Sequence, residues 1–141
     1  MHKSLALLSL LLPLSSFASD TYTAALSSDK SENILQQNIR SNGPPVSSSS
    51  RYLSLTQCGE GDKKWTVNDN YDTSTHFISS VKSNGNEKVY DFTIKYNEID
   101  CDNLTLKKHA FSKEVKLNNN EYTGKYKLGS RNFTVAIGKN E

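Results

Sequence analysis

The mature part of the chain carries two histidines, His76 and His109, and either could serve as a general base only beside a nucleophile or a carboxylate. Neither lies in a motif that would place one. There is no G-x-S-x-G elbow, no H-E-x-x-H, no phosphate-binding loop and no dinucleotide fingerprint. Two clusters of oxygen-bearing side chains, Asn68-Asp69-Asn70-Tyr71-Asp72 and Glu98, Asp100, Asp102 and Asn103, have the composition of a calcium loop. They lack its spacing, and Asp and Asn are also the residues that turns use to satisfy their own backbone. No metal and no cofactor is therefore assigned. Asp100 with Asp102, or His76 with an acidic neighbour, is retained as the basis of an alternative reading, a small secreted hydrolase.

The basic residues are more informative than the acids. Residues 51–106 are net acidic, whereas residues 107–141 carry 8 Lys and Arg against 3 Asp and Glu. Alternation along the chain places Lys125 and Lys127 on one exposed face, which Lys107, Lys108, Lys113 and Arg131 extend into a candidate binding surface. An acidic protein or an envelope component is the partner such a face fits. Nucleic acid is the partner least expected, because the net charge of the mature chain is close to balanced.

Cys58 and Cys101 form neither a C-x-x-C redox pair nor a zinc-type Cys/His set. Their pairing follows from the compartment. Lys3, the apolar run Leu5 to Leu14, and the small residues Ser16 and Ala18 have the anatomy of a secretory signal ending at residue 18. An apolar run of that length is too short to span a bilayer, so no stable membrane insertion is expected. Export to the periplasm or the exterior follows, with bacterial export favoured over eukaryotic. In an oxidising compartment Cys58 and Cys101 should form one disulfide. The loop so closed would stabilise the fold by roughly 4 kcal/mol on the chain-entropy model.

The elements that must position these groups are strands. Tyr90, Phe92, Ile94 and Tyr96 alternate with Asp91, Thr93 and Lys95, the period-two pattern of a half-buried strand. Trp65 and Val67, Phe77 and Val81, Tyr122, Tyr126 and Leu128, and Phe133, Val135 and Ile137 repeat it. Leu53 with Leu55, Leu104 with Leu106 and Val115 with Leu117 give shorter candidates. Asn84-Gly85 suits a type I′ hairpin, Gly129-Ser130 a type II′ hairpin, and Asn118-Asn119-Asn120 tolerates left-handed backbone. The predicted class is all-β, a small antiparallel sandwich or barrel of about 7–8 strands with one disulfide, over residues 51–141.

Residues 19–50 read differently. Ser and Asn abound, aromatics are scarce, and Gly43-Pro44-Pro45 precedes four serines, the composition of a flexible N-terminal lead. Within it, Asp29 and Glu32 resemble a capping box and Ile34, Leu35 and Ile39 an apolar stripe, which predicts a short helix over 30–41. The function expected from the whole is an exported, non-enzymatic binding module, an inhibitor, immunity factor or accessory subunit acting through protein contacts.

Overall fold

The computed structural model describes residues 19–29, 31–52, 56–59, 65–67 and 73–141. The expected signal segment 1–18, the acidic cluster 68–72 and the Leu53/Leu55 alternation lie outside the described residues. Ten strands and no helix make up the described chain: β1 Thr21–Ser28, β2 Ser31–Arg40, β3 Val46–Tyr52, β4 Thr56–Cys58, β5 Trp65–Val67, β6 Thr73–Asn84, β7 Glu87–Asp100, β8 Thr105–Lys116, β9 Glu121–Leu128 and β10 Arg131–Lys139. Eight of them form two four-stranded antiparallel sheets, ordered β2-β1-β10-β9 and β3-β6-β7-β8. The β4–β5 hairpin stands apart as a third, two-stranded sheet inserted between β3 and β6.

Chain order runs around both sheets, so that β2/β3 and β8/β9 form the two corners where the path crosses from one sheet to the other. The inner faces pack together. Tyr22, Ala24, Leu26, Ile39, Leu128, Phe133, Val135 and Ile137 come from one sheet, and Phe77, Val81, Tyr90, Phe92, Ile94 and Tyr96 from the other. These are the apolar members of period-two patterns, and their removal from water is the main favourable contribution to the fold. The expected sandwich is therefore present, with the predicted inward residues of β6, β7, β9 and β10 in its core.

The expected flexible lead with a helix over 30–41 is corrected: Ser31–Arg40 is strand β2, and Thr21–Ser28 and Val46–Tyr52 are strands β1 and β3. The alternation was masked by polar and small residues on the inner face. In β2 the inward set is Leu35, Gln37 and Ile39, so an amide occupies the middle of an apolar row. In β1 it is Tyr22, Ala24 and Leu26, with Ala24 too small to register as a core residue. The serines of β3 are ordered by ladder pairing to β6, with Ser48 opposite Phe77.

Gln37 is the reason an amide belongs there. Only 3% exposed, it reaches across the β2/β3 corner into the second sheet. Its Nε2 donates to the Phe77 carbonyl at 2.7 Å, the Ser48 hydroxyl at 3.1 Å and the Val46 carbonyl at 3.2 Å, while its Oε1 accepts from the buried Ser79 hydroxyl. Gln37 thus bridges the sheets where no ladder joins β2 to β3, beside the Ser41–Val81 bridge and the Asn42 amide that donates to the Val81 carbonyl at 2.8 Å. The fully buried Tyr90 hydroxyl, beside Ser79, has no hydrogen-bond partner of its own, and burial pushes the Tyr90 pKa well up.

Turn chemistry is partly as expected. Asn119 (φ 53°) and Asn120 (φ 62°) are both left-handed between the paired Asn118 and Glu121, and Gly129 alone has positive φ (57°) in the β9–β10 turn, as type II′ requires. The β6–β7 turn is shifted by one residue. Asn84 pairs with Glu87, so the central residues are Gly85 (φ 63°) and Asn86, the II′ pattern rather than I′.

Candidate functional site

Cys58 and Cys101 are disulfide-bonded, with Cα atoms 5.6 Å apart. The bond pins the β4–β5 hairpin to the end of β7, beside Ile99, which is buried although it lies on the outer face of its sheet. Cys58 and Ile99 are both buried outside the main core cluster. The disulfide points to an oxidising, exported compartment. No helix among the described residues is long and apolar enough to cross a membrane.

The polar groups nearest to a catalytic constellation meet at the same end of the molecule. Glu98 stands on β7, His109 opposite Tyr96 on β8, and Ser130 in the β9–β10 turn. Glu98 Oε1 accepts from His109 Nε2 at 2.9 Å, and Oε2 accepts from the Ser130 hydroxyl at 2.6 Å and the Ser130 amide at 3.2 Å. Burial opposes the charge on Glu98, but the two bonds from Ser130 and the contact with His109 together outweigh it and hold the carboxyl below its ordinary pKa. The order of the bonds excludes the relay in which the hydroxyl gives its proton to a histidine oriented by the acid, since here the carboxylate lies between the two and takes both donors.

The cluster is a latch between sheets. It fastens the β9–β10 turn of one sheet onto β7 and β8 of the other, next to a corner that no ladder closes among the described residues. Gly129 makes the close approach feasible, because a Cβ there would collide with the Glu98 carboxylate and the His109 ring. His109 also stacks on Tyr96 at 6.1 Å between ring centroids, and the Arg131 guanidinium lies 4.9 Å from the centre of the Tyr96 ring. The signal for this cluster was weak in the sequence, since its three members are separated by 11 and 21 positions and share no motif.

The hydrolase candidates are engaged elsewhere. Asp100 accepts from the Asp102 amide at 3.0 Å and the Asn103 side chain at 3.5 Å, and pairs with Lys107 at 3.1 Å. Those bonds, led by the Asp102 amide, hold Asp100 below its ordinary pKa. Asp100 thus organises its own turn, and Asp102 offers that turn a backbone amide. His76 lies on the outer face of the second sheet, opposite Ser49 and Lys95. No group of three or more His, Cys, Asp or Glu suited to holding a metal occurs among the described residues.

The six basic residues do not form one face. Lys125 and Lys127 are exposed on the outer side of β9, opposite Thr134 and Asn132, with Tyr122, Tyr126 and Leu128 turned inward. Lys108 is exposed on the outer side of β8, opposite Asn97, and so on the other face of the sandwich. Lys107 and Lys113 share the strand parity of Phe111 and Val115. Lys107 binds Asp100, and Lys113 lies over the Tyr126 ring at 5.5 Å. Arg131 is half-buried against Tyr96. The expected grouping omitted the pleat of β8 and the inward parity of Arg131 with Phe133. What remains as an exposed pair on one face is Lys125 and Lys127.

Compared with known proteins, the chain matches no family model, no curated protein and no solved structure.

The β7–β8 turn, Cys101 to Leu104, holds the residue least compatible with its surroundings. Leu104 has a left-handed backbone (φ 52°), a conformation that costs a side chain with a Cβ roughly 1–2 kcal/mol. It is also 46% exposed, one of two large exposed apolar residues among those described, the other being Ile34 on the outer side of β2. The sequence reading placed Leu104 in a strand. Instead β8 starts at Thr105, because Asp100 pairs with Thr105 and the four residues between them form the loop.

Proposed function

We propose that the protein is an exported, non-enzymatic binding module, an inhibitor, immunity factor or accessory subunit that acts through contacts with another protein. The observation that carries this reading is the wiring of its polar groups. Glu98, His109, Ser130 and Asp100 spend their hydrogen bonds on holding turns and sheets together. The secretory anatomy of residues 1–18 supports export to the periplasm or the exterior of a bacterial cell. An acidic protein or envelope component is the partner class, and Lys125 with Lys127 is the exposed basic pair that would steer it.

The reading is tested by immobilising the mature chain and capturing partners from an envelope extract, beside a broad hydrolase screen of the same preparation. A stoichiometric protein partner supports it. Turnover of any hydrolase substrate that is lost on changing Asp100 or His76 refutes it in favour of an enzyme.

A further inference from the structure

Leu104 is placed where two local rules favour another residue. At the last position of a four-residue hairpin loop with positive φ, Gly or Asn fits without strain, and at an exposed tip a polar side chain is better hydrated. Leu104 meets neither rule at φ 52° and 46% exposure. It makes no contribution to the core, since the packed clusters do not include it. Local conflict of this kind collects where a residue is kept for a contact outside its own fold.

The surroundings of the turn are built to hold that side chain still. Cys101, at its start, is bonded to Cys58. Asp100 ties down the Asp102 amide and the Asn103 side chain and is itself held by Lys107. Two residues further down β7, Glu98 is locked to His109 and Ser130. An apolar side chain on a pre-ordered loop loses little freedom on binding, which is the property of an anchor residue at a protein interface. Around it Asp102 and Asn103 are exposed and supply a polar rim of acceptors.

We propose that the Cys101–Leu104 turn is the recognition tip of the protein, and that Leu104 inserts into a leucine-sized apolar pocket on a folded protein whose rim offers hydrogen-bond donors to Asp102 and Asn103. This deepens the binding-module reading and rests on it. A single leucine needs a concave, desolvated pocket to anchor a complex, and the balanced charges of Asp100, Asp102, Lys107 and Lys108 give the tip no net attraction to an anionic lipid surface.

The test replaces Leu104 with photo-leucine in the mature chain and irradiates it in envelope extract, with a second photoreactive residue at Lys125 in a parallel sample. One discrete protein adduct is expected at position 104. Unlabelled wild type should compete it away, and Leu104→Gly and Leu104→Asn proteins should compete at least ten-fold less well while melting at or above the wild-type temperature. Equal competition by wild type and both variants, transfer of the label to lipid alone, or a lower melting temperature for both variants overturns the tip. An adduct at 125 with none at 104 overturns the tip and leaves the binding module standing. No discrete adduct at either position overturns both.

Discussion

Gln37→Leu tests whether a side chain holds the β2/β3 corner. Leucine has a similar reach, suits a strand and is more apolar, so burial alone predicts a more stable protein. The hydrogen bonds predict the opposite. The Ser79 hydroxyl, 1% exposed, loses its acceptor and keeps only the Tyr90 hydroxyl beside it to turn to, and the Phe77 carbonyl loses a donor at 2.7 Å in a buried setting, whereas Val46 and Ser48 are only partly buried and can turn to water. The four hydrogen bonds lost are worth about 1 kcal/mol each, and the extra apolar burial of leucine returns about 1–2 kcal/mol. A net loss of about 2 kcal/mol is expected, or a drop of roughly 6–10 °C in melting temperature for a domain of this size. Urea and thermal unfolding followed by circular dichroism measure it. Ser79→Ala alone breaks one of the same bonds, so the double variant should be at least about 1 kcal/mol more stable than the sum of the single effects predicts. A Gln37→Leu protein as stable as wild type, or strict additivity with Ser79→Ala, would refute the idea that the amide joins the sheets.

Gly129→Ala puts a methyl group into the Glu98 carboxylate and the His109 ring at a positive φ, and should lower stability by at least about 1–2 kcal/mol in the same unfolding assay. Because Glu98 is held below its ordinary pKa of 4.5, the unfolded chain binds its proton more readily than the folded one. The stability it contributes is therefore complete above that value and is lost as pH falls through the folded pKa; melting curves from neutral pH down to about pH 3 should show an acid limb that Glu98→Gln flattens. Tyr90→Phe deletes a buried hydroxyl that makes no hydrogen bond, so its stability should equal or exceed that of wild type by up to about 1 kcal/mol. Reversing Lys125 and Lys127 to Glu should change stability by about 0.5 kcal/mol or less per site while slowing association with an acidic partner and altering its salt dependence. Unfolding by the double reversal would show that these side chains do not point outward.

The parts of the fold legible in the sequence were those in which large apolar residues carry the period. Tyr90 to Tyr96, Phe77 with Val81, and Phe133 to Ile137 are such rows, and all of these residues are buried. Strands β1 to β3 escaped because their inner rows are interrupted by Ala24, Gln37 and Ser48, and the burial of Gln37 depends on partners distant in sequence. Gln37 is satisfied by residues 9 to 42 positions away, and no local pattern encodes that. The disulfide was legible because compartment and cysteine number left few alternatives. The basic surface was legible only where a strand is regular on both sides, at Lys125 and Lys127. On β8, counting cations without regard to the pleat merged inward-side Lys107 and Lys113 with outward Lys108. Leu104 was misplaced because an apolar residue next to Thr105 and Leu106 reads as strand, while the Asp100–Thr105 pairing that closes the loop in front of it is a tertiary fact.

The distribution of side-chain fasteners gives the two corners different characters. At β2/β3 the Gln37 amide makes the buried connection, and the Ser41–Val81 bridge with the Asn42 bonds to Val81 and Ser83 joins the end of β2 to β6. At β8/β9 it is formed by the Asn119-Asn120 turn at one end and the Glu98 latch at the other, with the half-buried rings of Phe111, Tyr122 and Tyr126 and the Lys113 ammonium between them. The latch and the disulfide converge on the same stretch of β7, residues 98–101, although neither is needed to complete the hydrophobic core. Constraint in excess of what the core requires limits motion at the loop it borders, and that loop is the one displaying a strained, exposed leucine. A loop ordered before contact keeps its rotational losses out of the binding step, so its grip would be expressed chiefly in slow dissociation, whereas the Lys125–Lys127 pair would act on the encounter. Recognition would then be divided between a rigid tip that sets residence time and a basic strand that sets the rate of approach.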